Sequence, residues 1–405
     1  MSGMVIIGAG ECGARAALSL REAGYGGAVT LLDAERHDPY ERPPLSKDAI
    51  LAEAPVAKGI GGADGLGAAG IDFRREARAH RIDRAARAVI CADGSAIPYE
   101  KLLLATGARP RPLPGTERAA EGPTIATLRT LDDAARIRAA LGPGRRIAVI
   151  GGGFIGLELA AAARKLGAEV TVIEALPRLL SRAVPAEIAA VLHDRHLAEG
   201  ARILTGTSVA GISAAGVALG DGGEVPADLV VIGIGALPNV ELAAEAGLAI
   251  ENGVAVDATL ATSDPAIFAA GDCCSFPAPL YGGRRIRLES WRSAQEQGAL
   301  AARNMLGAGE SIAGVPWFWS DQYDLTLQIA GLAEGAATHV RREGKDGAFL
   351  IFHLAPDGRL LAASGIGPGN AVAKEIRLAE MLIAKGAAPD AAALADPGVN
   401  LKKLL

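Results

Sequence analysis

Two stretches of this chain carry the same design, and that repetition constrains the fold more than any other feature. Near the start lies VIIGAGECGARAALSLREAGYGGAVTLLDAE, and from Ala148 runs AVIGGGFIGLELAAAARKLGAEVTVIEA. Each reads as an apolar strand (Val5–Ile7, Ile147–Ile150), a Gly-x-Gly-x-x-Gly turn, an amphipathic helix and a second apolar strand ending in an acid. The glycines are Gly8, Gly10 and Gly13 in one unit and Gly151, Gly153 and Gly156 in the other. In such a unit the first glycine permits a tight turn, the second lets backbone N–H groups approach a pyrophosphate, and the third lets helix pack on strand. The anion then rests on the positive end of the helix.

Context has to carry this reading, because 52 of the 405 residues are glycine. At that frequency a random match to the pattern is expected about once in the chain. A decoy is present: Gly65-x-Gly67-x-x-Gly70 in KGIGGADGLGAAG has no apolar strand before it and no helical pattern after it, and reads as loop. In the two intact units, by contrast, an acid follows the last glycine by about twenty residues, where it can bind a ribose hydroxyl. That acid is Glu174 in the second unit, and either Asp33 or Glu35 in the first.

The chain is long enough for two or three domains, and half of it is hydrophobic, so several cores can be buried. A formal charge of -5 argues against a general nucleic-acid binder. The four cysteines (Cys12, Cys91, Cys273, Cys274) show no metal-type spacing and no disulfide framework. The opening MSGMVIIGAG runs straight into a strand, which predicts no signal peptide. The longest apolar run, around Ile147–Ala163, is broken by glycines and Glu158 and does not read as a membrane span. The expectation is a soluble cytoplasmic protein with no metal site.

Other segments complete the picture. KLLLATGARPRPLPG is a strand leading into a turn where a chain would leave one domain for another, and VVIGIGALPNVELA is a second apolar strand with a glycine turn. TSDPAIFAAGDCCSF is a short strand ending in Gly271-Asp272, whose carboxylate can accept from the hydroxyls of a ribityl chain. Towards the end, GAFLIFHL and RLLAASGI read as strands preceding an amphipathic helix in NAVAKEIRLAEMLIAKG.

These segments resemble the FAD-dependent pyridine nucleotide–disulfide reductase superfamily and, within it, the oxygenase-coupled ferredoxin reductases. PYERPPLSK, LLLATGARPRPLPG, LRTLDDA, VIGGGFIGLELA, SDPAIFAAGD, RLESWRSAQEQG and PWFWSDQYD carry the resemblance across almost the full length. It implies an α/β fold with two Rossmann-like domains: an FAD domain from residues 1–112 and 241–317, an NAD domain inserted at 113–240, and a smaller C-terminal α/β domain at 318–405. One site would hold FAD and the other the NADH that reduces it. A flavin takes two electrons as hydride and releases them one at a time, which a nicotinamide does not do.

Residue by residue, the resemblance implies flavin contacts at Gly8, Gly10, Cys12, Gly13, Asp33 or Glu35, Arg42, Lys47, Ala79, Ala105, Thr106, Gly107, Arg129, Gly271, Asp272, Glu289, Ser290 and Trp291, with Trp319 beside the ring. The nucleotide donor would meet Gly151, Gly153, Ile155, Gly156, Glu174 and Gly235. Lys47 is assigned as a catalytic cation near flavin N5, held by Glu158, since a charge in the apolar helix start GLELAAAA needs a reason. Trp317 reads as core packing.

The disulfide-reducing members relay electrons through cysteines following the first nucleotide unit. Here the equivalent YERPPLSKD has none. Adjacent Cys273 and Cys274 make a strained pair. Electrons are therefore expected to leave directly to a [2Fe-2S] ferredoxin that serves an oxygenase, either a cytochrome P450 or a ring-hydroxylating dioxygenase. The arginines Arg284, Arg285, Arg287 and Arg292 form one candidate docking patch, and Arg109 with Arg111 a second. The alternatives are an NADH oxidase, a rubredoxin or monodehydroascorbate reductase, or a redox-responsive flavoprotein of the apoptosis-inducing-factor type. The oligomeric state, monomer or dimer, stays open.

Overall fold

A computed structural model describes residues 2–61, 65–114 and 122–405. The chain divides into two compact units: 1–42, 58–109 and 237–316 form one, while 43–57, 110–236 and 317–405 form the other.

The first unit is built on parallel strands in the spatial order Asp72–Arg74, Val29–Leu32, Gly3–Ile7, Ala96–Leu104, with Ile267–Ala269 alongside the last. Every residue of Gly3–Ile7 and Val29–Leu32 is buried, which is why these strands read as unbroken apolar runs rather than alternating ones. The helices Glu11–Glu22 and Trp291–Met305 lie against each other so closely that a Cβ on Gly298 would fall 2.3 Å from the Cys12 carbonyl oxygen. The start of Ala96–Leu104 continues into an antiparallel meander with Ala88–Cys91 and Ala79–Asp83, and Ile82, Val89 and Ile97 join the same core.

The second unit repeats the plan. Parallel strands run in the order Arg202–Leu204, Glu169–Ile173, Arg146–Ile150, Leu229–Ile232, Thr124–Ala126, again with the glycine-turn strand at the centre. An antiparallel trio (Val209–Ile212, Gly216–Leu219, Glu224–Pro226) adds Val217, Leu219 and Val225 to its core. Helix Leu131–Ala140 opens with a reciprocal cap between Thr130 and Asp133. The same unit includes a five-stranded antiparallel sheet ordered Trp317–Gln322, Leu325–Gly331, Leu360–Pro368, Phe349–Leu354, Thr338–Glu343, followed by helix Ala373–Ala384. The strands and helix expected near the C-terminus are therefore present.

Two expectations need correction. The decoy glycines do not form a plain loop: Gly65–Ala68 is a single helical turn. Trp317 is not core: it is half-buried and stacks on Trp319, with ring centroids 5.3 Å apart. Period-two alternation explains this, since the strand buries Ser320 and Gln322 and so places Trp317 and Trp319 on its other face.

Candidate functional site

The two glycine turns are near-copies in geometry. Gly8 and Gly151 sit at φ +100° and +110°, which other residues rarely adopt. A Cβ on Gly13 would lie 1.8 Å from the Gly8 carbonyl oxygen, and one on Gly156 would lie 2.3 Å from that of Gly151, so both third positions are closed to any side chain. At Gly10 and Gly153 a Cβ would meet no atom within 4 Å. These are the N-caps of helices Glu11–Glu22 and Phe154–Lys165, and neither helix has a side-chain cap. By contrast, the helices beginning after Thr130, Ser290 and Asp390 are all side-chain capped. The uncapped turns leave first-turn N–H groups for an anion, so both fit a dinucleotide pyrophosphate.

In the first unit, the acids after Val29–Leu32 behave differently. Glu35 accepts from the Tyr40 hydroxyl and from Arg42, each at 2.7 Å. Asp33 accepts from the Ala34 amide, and burial, then the charge of Glu35, pushes its carboxyl above the usual range. Thr106 and Asn239 clasp each other: the Thr106 hydroxyl donates to the Asn239 carbonyl at 2.7 Å, and the Asn239 amide donates to the Thr106 carbonyl at 2.8 Å. This pair fixes the turn through Ala105 and Gly107. Gln297, itself tied to Ser293, accepts from the Gly271 amide at 2.8 Å and so sets the turn that presents Asp272. Ser290 caps the helix that begins with Trp291, directly after Glu289. Ala79 begins a strand of the meander.

In the second unit the structure joins Lys47 to Glu158. The ammonium lies 3.3 Å from Glu158 and 3.5 Å from Asp321, and 5.3 Å above the Trp319 ring. Lys47 is 18 % and Glu158 7 % exposed. Burial raises the Glu158 carboxyl, while Lys47 and the hydroxyls of Ser46 (2.5 Å) and Ser320 (2.7 Å) oppose that by favouring the anion. Asp321 accepts from the Trp319 indole at 3.0 Å, so cation, carboxylates and aromatic ring are braced as a group. Ser46, Ser320 and Asp321 were not singled out from sequence. They sit inside PPLSK and PWFWSDQYD, and those two motifs were the available signal.

Glu174 has both carboxylate oxygens engaged, one by the Gly152 amide and one by the Leu176 amide, each at 2.8 Å. Arg178 turns away to donate to the carbonyls of Leu179, Ser181 and Val184. Ile155 is half exposed at the helix start. Gly235 is bonded through its carbonyl to the Arg111 amide. Arg129 lies just before the Thr130 cap, and its amide donates to Asp133.

All four cysteines are buried and unpaired by disulfide. Burial raises the thiols of Cys12 and Cys274 far above their ordinary range, and raises Cys273 as well. Such thiols are poor nucleophiles. Of the arginine run, Arg285 donates to the carbonyls of Val256 and Ser275 and pairs with Glu251, Arg287 pairs with Glu289, and Arg292 pairs with Glu296. Arg109 pairs with Glu241. Among the described residues no group of three or more His, Cys, Asp and Glu side chains could hold a metal ion, and no helix is long and apolar enough to cross a membrane.

Comparison with known proteins agrees with this geometry. Residues 2–298 match the pyridine nucleotide-disulphide oxidoreductase family model, and residues 317–405 match the reductase C-terminal model. The chain is 46% identical to the ferredoxin–NAD(+) reductase component of the anthranilate 1,2-dioxygenase system of Burkholderia cepacia, over 99% of this chain and 98% of that one. Its fold is similar to putidaredoxin reductase in a covalent complex with putidaredoxin (TM-score 0.92, 36% identity, 100% of this chain and 98% of that one). It is also similar to the ferredoxin reductase of the CYP199A2 system of Rhodopseudomonas palustris (TM-score 0.93, 38% identity, 100% and 99% covered). The resemblance read from the sequence holds: the chain belongs to the pyridine nucleotide-disulphide oxidoreductase family and is an oxidoreductase whose cofactors are FAD and NAD(H).

Proposed function

We propose that this protein draws electrons from NADH and delivers them one at a time to a [2Fe-2S] ferredoxin that supplies an oxygenase. The observation that carries the reading is the pairing of two uncapped glycine turns with buried thiols: two dinucleotide sites, and four cysteines all too buried to relay electrons to a disulfide. The similar proteins named above, which serve ferredoxins, support it.

FAD would be held at residues 1–112 and 241–317 by Gly8, Gly10, Cys12, Gly13, Asp33 or Glu35, Arg42, Ala79, the Ala105–Gly107 turn, Asp272 and the Glu289–Trp291 segment, with Arg129 at a phosphate. NADH would be held at 113–240 by Gly151, Gly153, Ile155, Gly156, Glu174 and Gly235, and residues 318–405 would form the third domain. The flavin, when bound, accepts hydride and returns single electrons. Lys47 offers a fixed positive charge for electron density arriving on the flavin ring, and Glu158 keeps that ammonium in place. Trp319 shields the site and orients the nicotinamide.

A local cationic surface would steer an acidic ferredoxin. Within the arginine run, Arg285 and Arg287 also hold backbone carbonyls, those of Val256, Ser275 and Asp272. The four buried thiols suit a reducing compartment, and we place the protein in the cytoplasm. The test is NADH-driven cytochrome c reduction with and without an oxygenase-type ferredoxin. Strong dependence on the ferredoxin is expected. Equal rates without it would refute the reading.

A further inference from the structure

The polar contacts around Glu158 extend well beyond its two serines. Ser320 Oγ, which donates to Glu158, accepts from the Gln322 side-chain amide at 3.1 Å. Gln322 Oε1 lies 2.9 Å from His196 Nε2, and the Tyr323 hydroxyl lies 3.3 Å from His196 Nδ1. His196, Ser320 and Gln322 are all at most 1% exposed. They come from helix Ala186–Ala198 and strand Trp317–Gln322 of the same unit.

The direction of each bond follows from the one before it. A carboxylate only accepts, so the Ser320 hydroxyl donates to Glu158 and has lone pairs left for Gln322. The Gln322 NH2 must face Ser320, which turns its carbonyl to His196. His196 therefore carries its proton on Nε2, and its bare Nδ1 accepts from Tyr323. Every donor points toward Glu158.

We propose that His196 and Gln322 are positioning residues for the Lys47–Glu158 pair: they lock the Ser320 hydroxyl as a donor, and so hold the carboxylate and its ammonium in one arrangement. The proposal rests on the role assigned above to Lys47 and Glu158. The chain orients rather than conducts, because an amide passes no proton without losing its own bonding. Burial lowers the His196 imidazole from its ordinary value, outweighing its bond to Gln322, with His193, Arg195 and Glu199 as its charged or titratable surroundings and Tyr323 facing it from the end of the strand. Tyr323, pushed up to about 12 by burial, with Glu199, Arg164 and Arg195 around it, remains a donor across the neutral range.

The test uses flavin-loaded enzyme labelled with 15N-histidine. The His196 ring is expected as the neutral Nε2–H form from pH 6 to 8, and its Nε2–H resonance should move in Glu158→Gln although the two residues do not touch. In Gln322→Leu that response should vanish. His196→Phe should slow flavin reduction by NADH about two- to threefold and move the acid limb of its pH profile upward, because the carboxylate loses a polarised donor. His196→Gln, which restores an N–H at the Nε2 position, should recover much of both. A packing role alone would leave the pH profile of His196→Phe unchanged. An unmoved His196 resonance in Glu158→Gln overturns the chain, whereas a wild-type rate of flavin reduction in Lys47→Met overturns the reading on which it rests.

Discussion

Replacing Glu174 tests how the second nucleotide site selects its donor. The carboxylate follows strand Glu169–Ile173, and both oxygens accept backbone N–H groups at 2.8 Å. That anchoring fixes a negative charge where a ribose edge is expected. A 2′-phosphate carries nearly two negative charges at neutral pH. At roughly 5 Å, with an effective dielectric of about 45 to 65, between the surface-pair and bulk-water limits, repulsion amounts to about 2–3 kcal/mol, or a preference for NADH of about 30- to 150-fold. Arg178 has both terminal nitrogens committed to three carbonyls, so these do not clamp a 2′-phosphate in this arrangement. Glu174→Ala should therefore cut the ratio of kcat/KM for NADH over NADPH by at least about tenfold. Glu174→Gln should do the same and also lower the thermal midpoint, because its NH2 must face either the Gly152 or the Leu176 amide, donor against donor. The assay is steady-state reduction of ferricyanide with each nucleotide. Equal use of NADPH by the unmodified protein, or an unchanged ratio in Glu174→Ala, would refute the argument.

Three further outcomes are expected. Arg342, 6 % exposed, donates to the carbonyls of Leu394, Asp396, Pro397 and Val399, so Arg342→Met should lose about 2–4 kcal/mol in urea denaturation and free the C-terminal segment to exchange. His353, buried beside His339, is held down to about 4 by burial first and by His339 second. A base depressed in the folded state contributes stability above its unfolded value of about 6.5, and that contribution fades as pH falls from there toward 4. His353→Gln should flatten this acid loss of roughly 3 kcal/mol, read from denaturation midpoints across that window. Replacing Cys273 and Cys274 together by serine should leave ferredoxin reduction within about threefold of wild type, whereas a loss of a hundredfold or more in protein that keeps its FAD would reinstate a thiol relay.

The parts legible in the sequence were those where backbone geometry dictates residue type. Only glycine suits the φ of Gly8 and Gly151 or the space beside Gly13 and Gly156, so both nucleotide turns announce themselves. Glu158 was legible because a charge in an apolar helix start demands a partner. Its companions Ser320 and Gln322 were not: strand Trp317–Gln322 buries polar side chains on one face and leaves tryptophans half-buried on the other, the reverse of the usual amphipathic code. His196 had no signal, because its partners lie 126 and 127 residues away in Gln322 and Tyr323. The arginine run was legible as a run, but the bonds of Arg285 to Val256 and Ser275 were not, because sequence does not reveal those carbonyls as neighbours.

The most direct test of the central claim is an anaerobic titration of FAD-loaded protein with NADH in the presence of excess [2Fe-2S] ferredoxin, followed in the visible spectrum. One hydride pair divided into single electrons predicts two ferredoxins reduced per NADH consumed, with no thiol oxidised. NADH consumption without ferredoxin reduction, or consumption coupled instead to a disulfide substrate, would contradict it.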